Sequence, residues 1–188
     1  MTTQPPDTRT RLIDAAITLF QERGYHGTSV ADLLTRAGAP KGSLYHHFPE
    51  GKADLARAAT DATSDLLLDI VARAYDPAED FDAGTQRLAE KFARLFERHP
   101  HWRTCPVQTL LLDGPSAEGR AAGLAHLERW IDATARHAAR LGHPAPAEAA
   151  RRLWSMLIGV WTLARAEDDP APLRALPALL GTAPATGG

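Results

Sequence analysis

Gly38-Ala39-Pro40-Lys41-Gly42-Ser43-Leu44-Tyr45-His46-His47-Phe48 is the stretch on which the reading of this chain turns. Gly38-Ala39 makes a turn, and Pro40 suits the first position of a helix, where its missing N–H costs nothing. Leu44 and Phe48 then fall one helical turn apart, so a short helix is predicted over Pro40 to Phe48, broken by Pro49-Glu50-Gly51. Upstream, Ser29-Val30-Ala31-Asp32 has the form of a capping box with Asp in place of Glu, opening a second helix through Ala37. Before that, a helix from about Thr8 carries Leu12, Ala16, Leu19 and Phe20 on one face, with Ile13 and Ile17 flanking. Gly24 follows Arg23 where a left-handed residue commonly ends a helix. Downstream, a long helix is predicted from Lys52 to Tyr75. Two short helices joined by a tight glycine turn and backed by a longer one match a helix-turn-helix. Neither short helix is stable alone, so they must share a core, for which Leu12, Phe20, Val30, Leu33, Leu44 and Phe48 are the candidates.

Outward from this unit the chain stays helical. Apolar residues recur at three- and four-residue spacing almost everywhere, alanine is heavily used and strand formers are sparse. The fold class is therefore all-α. After Asp76-Pro77 a helical bundle is expected, with helices at about 83–98, 105–112, 117–141, 146–166 and a short one at 171–180. The two prolines of Glu97 to Pro106 make that segment irregular, and small residues from Gly181 to Gly188 read as a flexible tail. The expected division is residues 1–56, 57–180 and 181–188.

Composition sets the outer limits. The 188 residues are 44% hydrophobic and 23% charged, which suits a globular chain with a sizeable core. No run of eighteen uncharged apolar residues occurs, and the polar Met1 to Asp7 lacks the apolar core of a secretory signal. A cytoplasmic protein with no membrane partner is expected. A lone cysteine, Cys105, excludes an internal disulfide and a cysteine-built zinc site. With a net charge of −2, the whole chain has no general attraction for nucleic acid. Any such affinity must come from local placement.

Local placement supplies it. Gly42 has no side chain, so the backbone there can approach a duplex closely. Lys41 and Ser43 are expected in the first turn of the third helix, where free N–H groups favour phosphate. With Leu44 and Phe48 turned inward, Tyr45, His46 and His47 face partly outward: the Tyr45 hydroxyl and His47 toward phosphate, His46 toward a base edge. Lys52 adds a charge at the start of the next helix. Competing chemistries find less. Lys41-Gly42-Ser43 reverses the order of a phosphate-loop signature and follows no strand. Adjacent His46 and His47 point apart on a helix, and His99, His101 and Cys105 lack a fourth ligand. No metal or cofactor is implied.

The stretch Gly24 to Val30, then Gly38 to Phe48, then Lys52-Ala53-Asp54-Leu55, resembles the N-terminal domain of TetR-family transcriptional repressors. A "G-Y" after the first helix, "K-G-S-L-Y-x-H-F" as the third and "K-x-x-L" opening the fourth together make the resemblance specific, over roughly residues 8–56. Cys105-Pro106-Val107, Trp161 to Arg165, Pro172-Leu173 and the one-residue-longer loop at Pro49-Glu50-Gly51 are similar to a subgroup that includes lincomycin-resistance repressors. The resemblance implies a ligand-responsive repressor that binds a palindromic DNA operator as a homodimer. It implies a DNA-facing set of Ser29, Pro40, Lys41, Gly42, Ser43, Tyr45, His46, His47 and Lys52. An inducer pocket is implied in the middle helices, drawing on Phe92, Phe96, Trp102, Cys105, Val107, Leu110 and Leu111, which suit an apolar or aromatic inducer. Trp154, Leu157, Ile158 and Trp161 form one stripe, offered either to the core or to a dimer interface built from two helices of each chain. The competing reading is a helical small-molecule-binding or enzymatic protein whose first domain does not read DNA. Against it, no paired carboxylates or nucleophile–base pair can be assembled.

Overall fold

A computed structural model of the chain describes residues 6–100, 102 and 117–181. All regular structure among them is helical. The first four helices are α1 (Thr8–Arg23), α2 (Val30–Ala37), α3 (Ser43–His47) and α4 (Lys52–Tyr75). Then follow α5 (Phe81–Arg98), α6 (Ala117–Arg140), α7 (Pro146–Glu167) and two short pieces, α8 (Ala171–Arg174) and α9 (Leu176–Leu179). The helix expected at 105–112, with Cys105, Val107, Leu110 and Leu111, lies outside the described residues, as does the tail beyond Gly181.

Local chemistry sets the ends. Asp7 caps α1 by accepting the Thr10 N–H at 2.7 Å, and Asp80 caps α5 by accepting that of Ala83 at 2.7 Å. The Ser29–Asp32 capping box is reciprocal: Ser29 Oγ accepts the Asp32 N–H at 3.1 Å, and Asp32 Oδ2 accepts the Ser29 N–H at 2.9 Å. Gly24 ends α1 with a positive φ of 75°, but its ψ of 167° places it outside the left-handed helical region expected for it. That combination is open in practice only to glycine.

Two departures from the sequence expectation have plain causes. The third helix is Ser43–His47 rather than Pro40–Phe48. At its start the Ser43 N–H bonds back to the Pro40 carbonyl at 2.9 Å, so Pro40, Lys41 and Gly42 form a turn and not a first helical turn. At its end Phe48 adopts φ −138°, ψ 86°, because the following Pro49 disfavours a helical residue before it. The short helix expected at 171–180 divides at Ala175, where Pro177 cannot donate to a continuous ladder.

Two cores result. Leu12, Leu19, Phe20, Leu33, Leu44, Phe48, Leu55 and Ala59 close the first, with Val30 partly buried against it. The second gathers Leu67, Val71, Tyr75, Leu88, Phe92 and Phe96 with all four tryptophans. α4 belongs to both, and the cores divide within it between Ala59 and Leu67, beyond the boundary at residue 56 suggested by sequence. Polar bonds fasten α4 to the second core. Trp130 Nε1 donates to Ser64 Oγ at 3.0 Å, Arg140 Nη2 to the Tyr75 carbonyl at 2.8 Å, and His126 Nε2 lies 3.1 Å from Asp61.

Trp154, Leu157 and Trp161 are sealed inside this second core of a single chain. Of the two roles open to the stripe, packing in the core is the one these three side chains take within a single chain. Ile158, the fourth of that stripe, is partly buried beside them. The outward face of α7 instead carries Leu163, 52% exposed.

Candidate nucleic-acid interface

The first core determines what α3 shows to solvent. Leu44 and Phe48 are buried beneath it, which anchors the helix from one side. Pro40, Lys41, Gly42, Tyr45 and His46 are then exposed, and Ser43, His47 and Lys52 are half-covered. Tyr45 is 59% exposed, the largest such figure among the exposed large hydrophobic side chains. A capped core aromatic would be hidden, so its exposure calls for another use. Its ring rests on Gly51: a Cβ there would stand 3.0 Å from Tyr45 Cε1. Gly51 also holds φ 63°, ψ −126°, which strains any other residue, so the loop into α4 is fixed by glycine twice over.

Gly42 differs. Its φ is −76°, a value any residue adopts, and a Cβ would meet nothing within 4 Å. The chain's own packing therefore does not require glycine here.

The cations are placed by their neighbours. Lys41 sits in the Pro40–Ser43 turn and not in a helical turn, so the expected help from the helix N–H groups is reduced to a five-residue helix with little dipole. Lys52 extends its ammonium over the Tyr25 ring, 4.1 Å from the centroid. Arg9 lies over Phe48 at 5.5 Å. His46 and His47 do not point apart as expected. Their rings meet edge to face at 4.9 Å, and the His47 ring lies 6.4 Å from that of Phe48. Ser29 is exposed, but its hydroxyl already caps α2 and donates to Asp32 Oδ2 at 2.6 Å. Those bonds from Ser29, with Arg23 nearby, hold the Asp32 carboxyl below its ordinary range. The sequence marks Tyr25 only as part of the Gly24-Tyr25 motif, with no direction for its ring, and does not single out Arg9. Tyr25 stands in a connection, where periodicity gives no direction to a side chain.

In the second region Phe92, Phe96 and Trp102 are buried in one cluster. Trp161 stands edge to face with Phe92 and Phe96, with centroids 6.3 and 5.8 Å away. Trp102 stacks on His99 at 4.0 Å. Arg165, which sequence reasoning gave no role, spans the end of α5: its Nη2 donates to the carbonyls of His99 at 2.8 Å and Phe96 at 3.3 Å. Burial, then repulsion from Arg98 and Arg165, lowers the His99 pKa below the ordinary histidine value. A half-open cleft of about 140 Å³ lies at the opposite end of α5, lined by Phe81, His143, Glu148 and Arg152 among others. It involves none of the expected pocket residues. Among the described residues no three His, Cys, Asp or Glu side chains are grouped to hold a metal, and no helix is long and apolar enough to cross a membrane.

Comparison with known proteins bears on this arrangement directly. Residues 12–59, the whole first core, match the family described as bacterial regulatory proteins of the tetR family. An uncharacterized HTH-type transcriptional regulator of Mycobacterium tuberculosis is 30% identical over 174 residues, covering 88% of each chain. The HTH-type transcriptional regulator LmrA of Bacillus subtilis is 38% identical over 91 residues, which is 46% of this chain and 48% of that one. Among solved structures, the regulatory protein TetR of Rhodobacter sphaeroides superposes with a TM-score of 0.81 at 27% identity, covering 93% of this chain and 97% of that one.

Proposed function

The chain belongs to the TetR family of bacterial transcriptional regulators, and on that premise we propose that it is a repressor that binds a palindromic operator as a homodimer in the cytoplasm and releases it when a small apolar or aromatic inducer enters the second region. The family is one of regulators and not enzymes. The observation that carries the reading is the outer surface of residues 40–47. There Lys41, Tyr45 and His46 are exposed around a glycine that the chain itself does not need, while Leu44 holds the helix from behind.

In this reading Lys41, Tyr45, His47 and Lys52 meet phosphates, His46 meets a base edge, and the bare Gly42 backbone lets them come close. Ser29 and Ser43 position the two short helices, and Pro40 shapes the turn between them. Contacts from a five-residue helix are few, so two copies are needed, reading half-sites about 34–36 Å apart. The pairing surface is the outer face of α6 and α7, where Leu124 and Leu163 are exposed and Ile158 is half-covered. Phe92, Phe96 and Trp102, with Cys105, Val107, Leu110 and Leu111, line the inducer site. Occupation of that site reaches the DNA through α4, which is built into both cores. An inducer that favours the wrong spacing of the two heads lowers operator affinity by its coupling free energy.

A gel shift with the DNA upstream of the chain's own coding sequence tests the first half of this. A discrete complex that survives excess unrelated duplex is expected. Sedimentation of the free protein at micromolar concentration tests the second, with a dimer expected in the wild type and a monomer in Leu163→Asp. A wild-type monomer, or no discrete complex, contradicts the reading.

A further inference from the structure

The four tryptophans are equally hidden but not equally satisfied. Trp130 Nε1 donates to Ser64 Oγ at 3.0 Å, and Trp154 Nε1 donates to Thr134 Oγ1 at 3.0 Å. Thr134 in turn donates its hydroxyl to the Trp130 carbonyl at 2.9 Å, so both indoles are built into a closed network. Trp161 is 0% exposed and Trp102 is 5% exposed, yet neither indole N–H has an acceptor among the described residues. The Nε–H of Arg165 is a third buried donor without one. A buried donor left unmet costs desolvation that nothing returns, and native cores rarely leave several together.

These three donors occupy one corner of the second core. The Arg165 guanidinium carbon lies 5.4 Å from the Trp161 ring centroid and 3.6 Å from that of Phe96. Its Nη2 bonds the carbonyl of His99, whose ring stacks on Trp102. Every unmet group here is a donor, so whatever completes the corner must bring acceptors. The charges that act on His99 are those of Arg98 and Arg165, both positive, and the one acid acting on Arg165 is Asp168. The Arg165 guanidinium, which already donates to the carbonyls of Phe96, His99 and Pro100, supplies the positive charge, and a charged acceptor bonds such donors more strongly than a neutral oxygen does.

We propose that Trp102, Trp161 and Arg165 form the carboxylate-reading corner of the inducer site, so that the inducer is an aromatic or apolar molecule carrying a carboxylate group. This rests on the reading that the second region binds an inducer, and it adds the polar group that the apolar lining alone does not specify. The ring or chain of the ligand lies toward Phe92 and Phe96, whose rings stand edge to face with that of Trp161.

The test uses the full chain, with 1-naphthoate and 1-methylnaphthalene as probes of the same apolar body with and without the carboxylate. Calorimetric titration is expected to show the carboxylate binding at least about tenfold tighter, the usual worth of a hydrogen bond to a charged group. Trp161→Phe keeps a ring and removes only the N–H donor along with some volume. There the preference is expected to fall to within about twofold while 1-methylnaphthalene still binds. Trp102→Phe is the second variant, and helical content by circular dichroism checks the fold of each. Equal binding of the two probes to the wild type, binding of neither, or a preference that survives both replacements overturns the proposal. Operator binding is measured on the same samples without probe. If the DNA complex forms and both probes release it equally well, the inducer-responsive reading stands and the carboxylate corner alone falls.

Discussion

Leu12, Leu33, Leu44 and Leu55 meet in the first core beneath Phe20 and Phe48, with no indole and few buried polar groups, whereas the second core is organised around four tryptophans and the hydroxyls that serve two of them. The first is assembled from helices close in sequence, each ended by a local device such as the Ser29–Asp32 box. The second depends on bonds between residues far apart, such as Trp130 to Ser64 and Arg165 to His99. Function can reside on different sides of the two cores. A core held by short-range caps and aliphatic packing leaves its outer face free for exposed polar residues. A core with unmet donors inside it points its chemistry inward.

The harshest way to break the comparison is to hollow out the smaller core. Leu44 is fully buried and is the main inward anchor of α3, so Leu44→Ala should destabilise the first region by about 2–5 kcal/mol. Operator binding should vanish while tryptophan emission stays native, because all four indoles lie in the second core. Emission that shifts red together with the loss of binding would show that the two cores melt as one.

A second replacement separates the indoles. Trp130→Phe strands the Ser64 hydroxyl in the core, whereas Trp161→Phe breaks no hydrogen bond among the described residues. Both lose similar volume, so urea unfolding should find Trp130→Phe less stable than Trp161→Phe by about 1 kcal/mol. Equal losses would deny that the two pairs differ.

How legible these regions are in the sequence follows the same division. Caps, glycine turns and helical spacing are local, so the ends of α1, α2 and α4 and the burial of Leu44 and Phe48 can be read directly. The third helix reads too long because its N-terminal residues satisfy one another in a turn, and Phe48 is pulled from helix by the next proline. The Trp154–Trp161 stripe is correctly apolar, but periodicity cannot tell a core from an interface. Which neighbour covers the stripe is a tertiary fact, and here it is Phe92, Phe96 and Trp130 of the same chain. The cap of Tyr45 on Gly51, the lysine on Tyr25 and the corner at Arg165 join separate elements and leave no mark at any fixed spacing.

A gentler perturbation tests the local devices. Ser29→Ala should cost about 1 kcal/mol through loss of the α2 cap. It should also change the response to acid. Bonds from Ser29 depress the folded pKa of Asp32, so their contribution is present above the unfolded value near 3.8 and is lost as pH falls through the folded one. The variant should therefore lose less stability than the wild type on acidification below pH 4. Parallel acid denaturation curves would show that the Ser29 hydroxyl contributes nothing to holding the Asp32 carboxyl ionised.

One lysine from each region distinguishes a DNA-reading face from a bystander surface. Operator binding of the wild type, Lys41→Ala and Lys91→Ala is followed by fluorescence anisotropy from low to moderate salt. Lys41 is exposed on the candidate DNA face, while Lys91 lies on α5 in the second region. Each lost phosphate contact lowers the slope of log K against log salt by about one. That decrease is expected in Lys41→Ala, with an unchanged slope in Lys91→Ala. The same slope in Lys41→Ala as in the wild type, or an equal fall in both variants, would contradict the assignment of residues 40–47 as the DNA-reading surface.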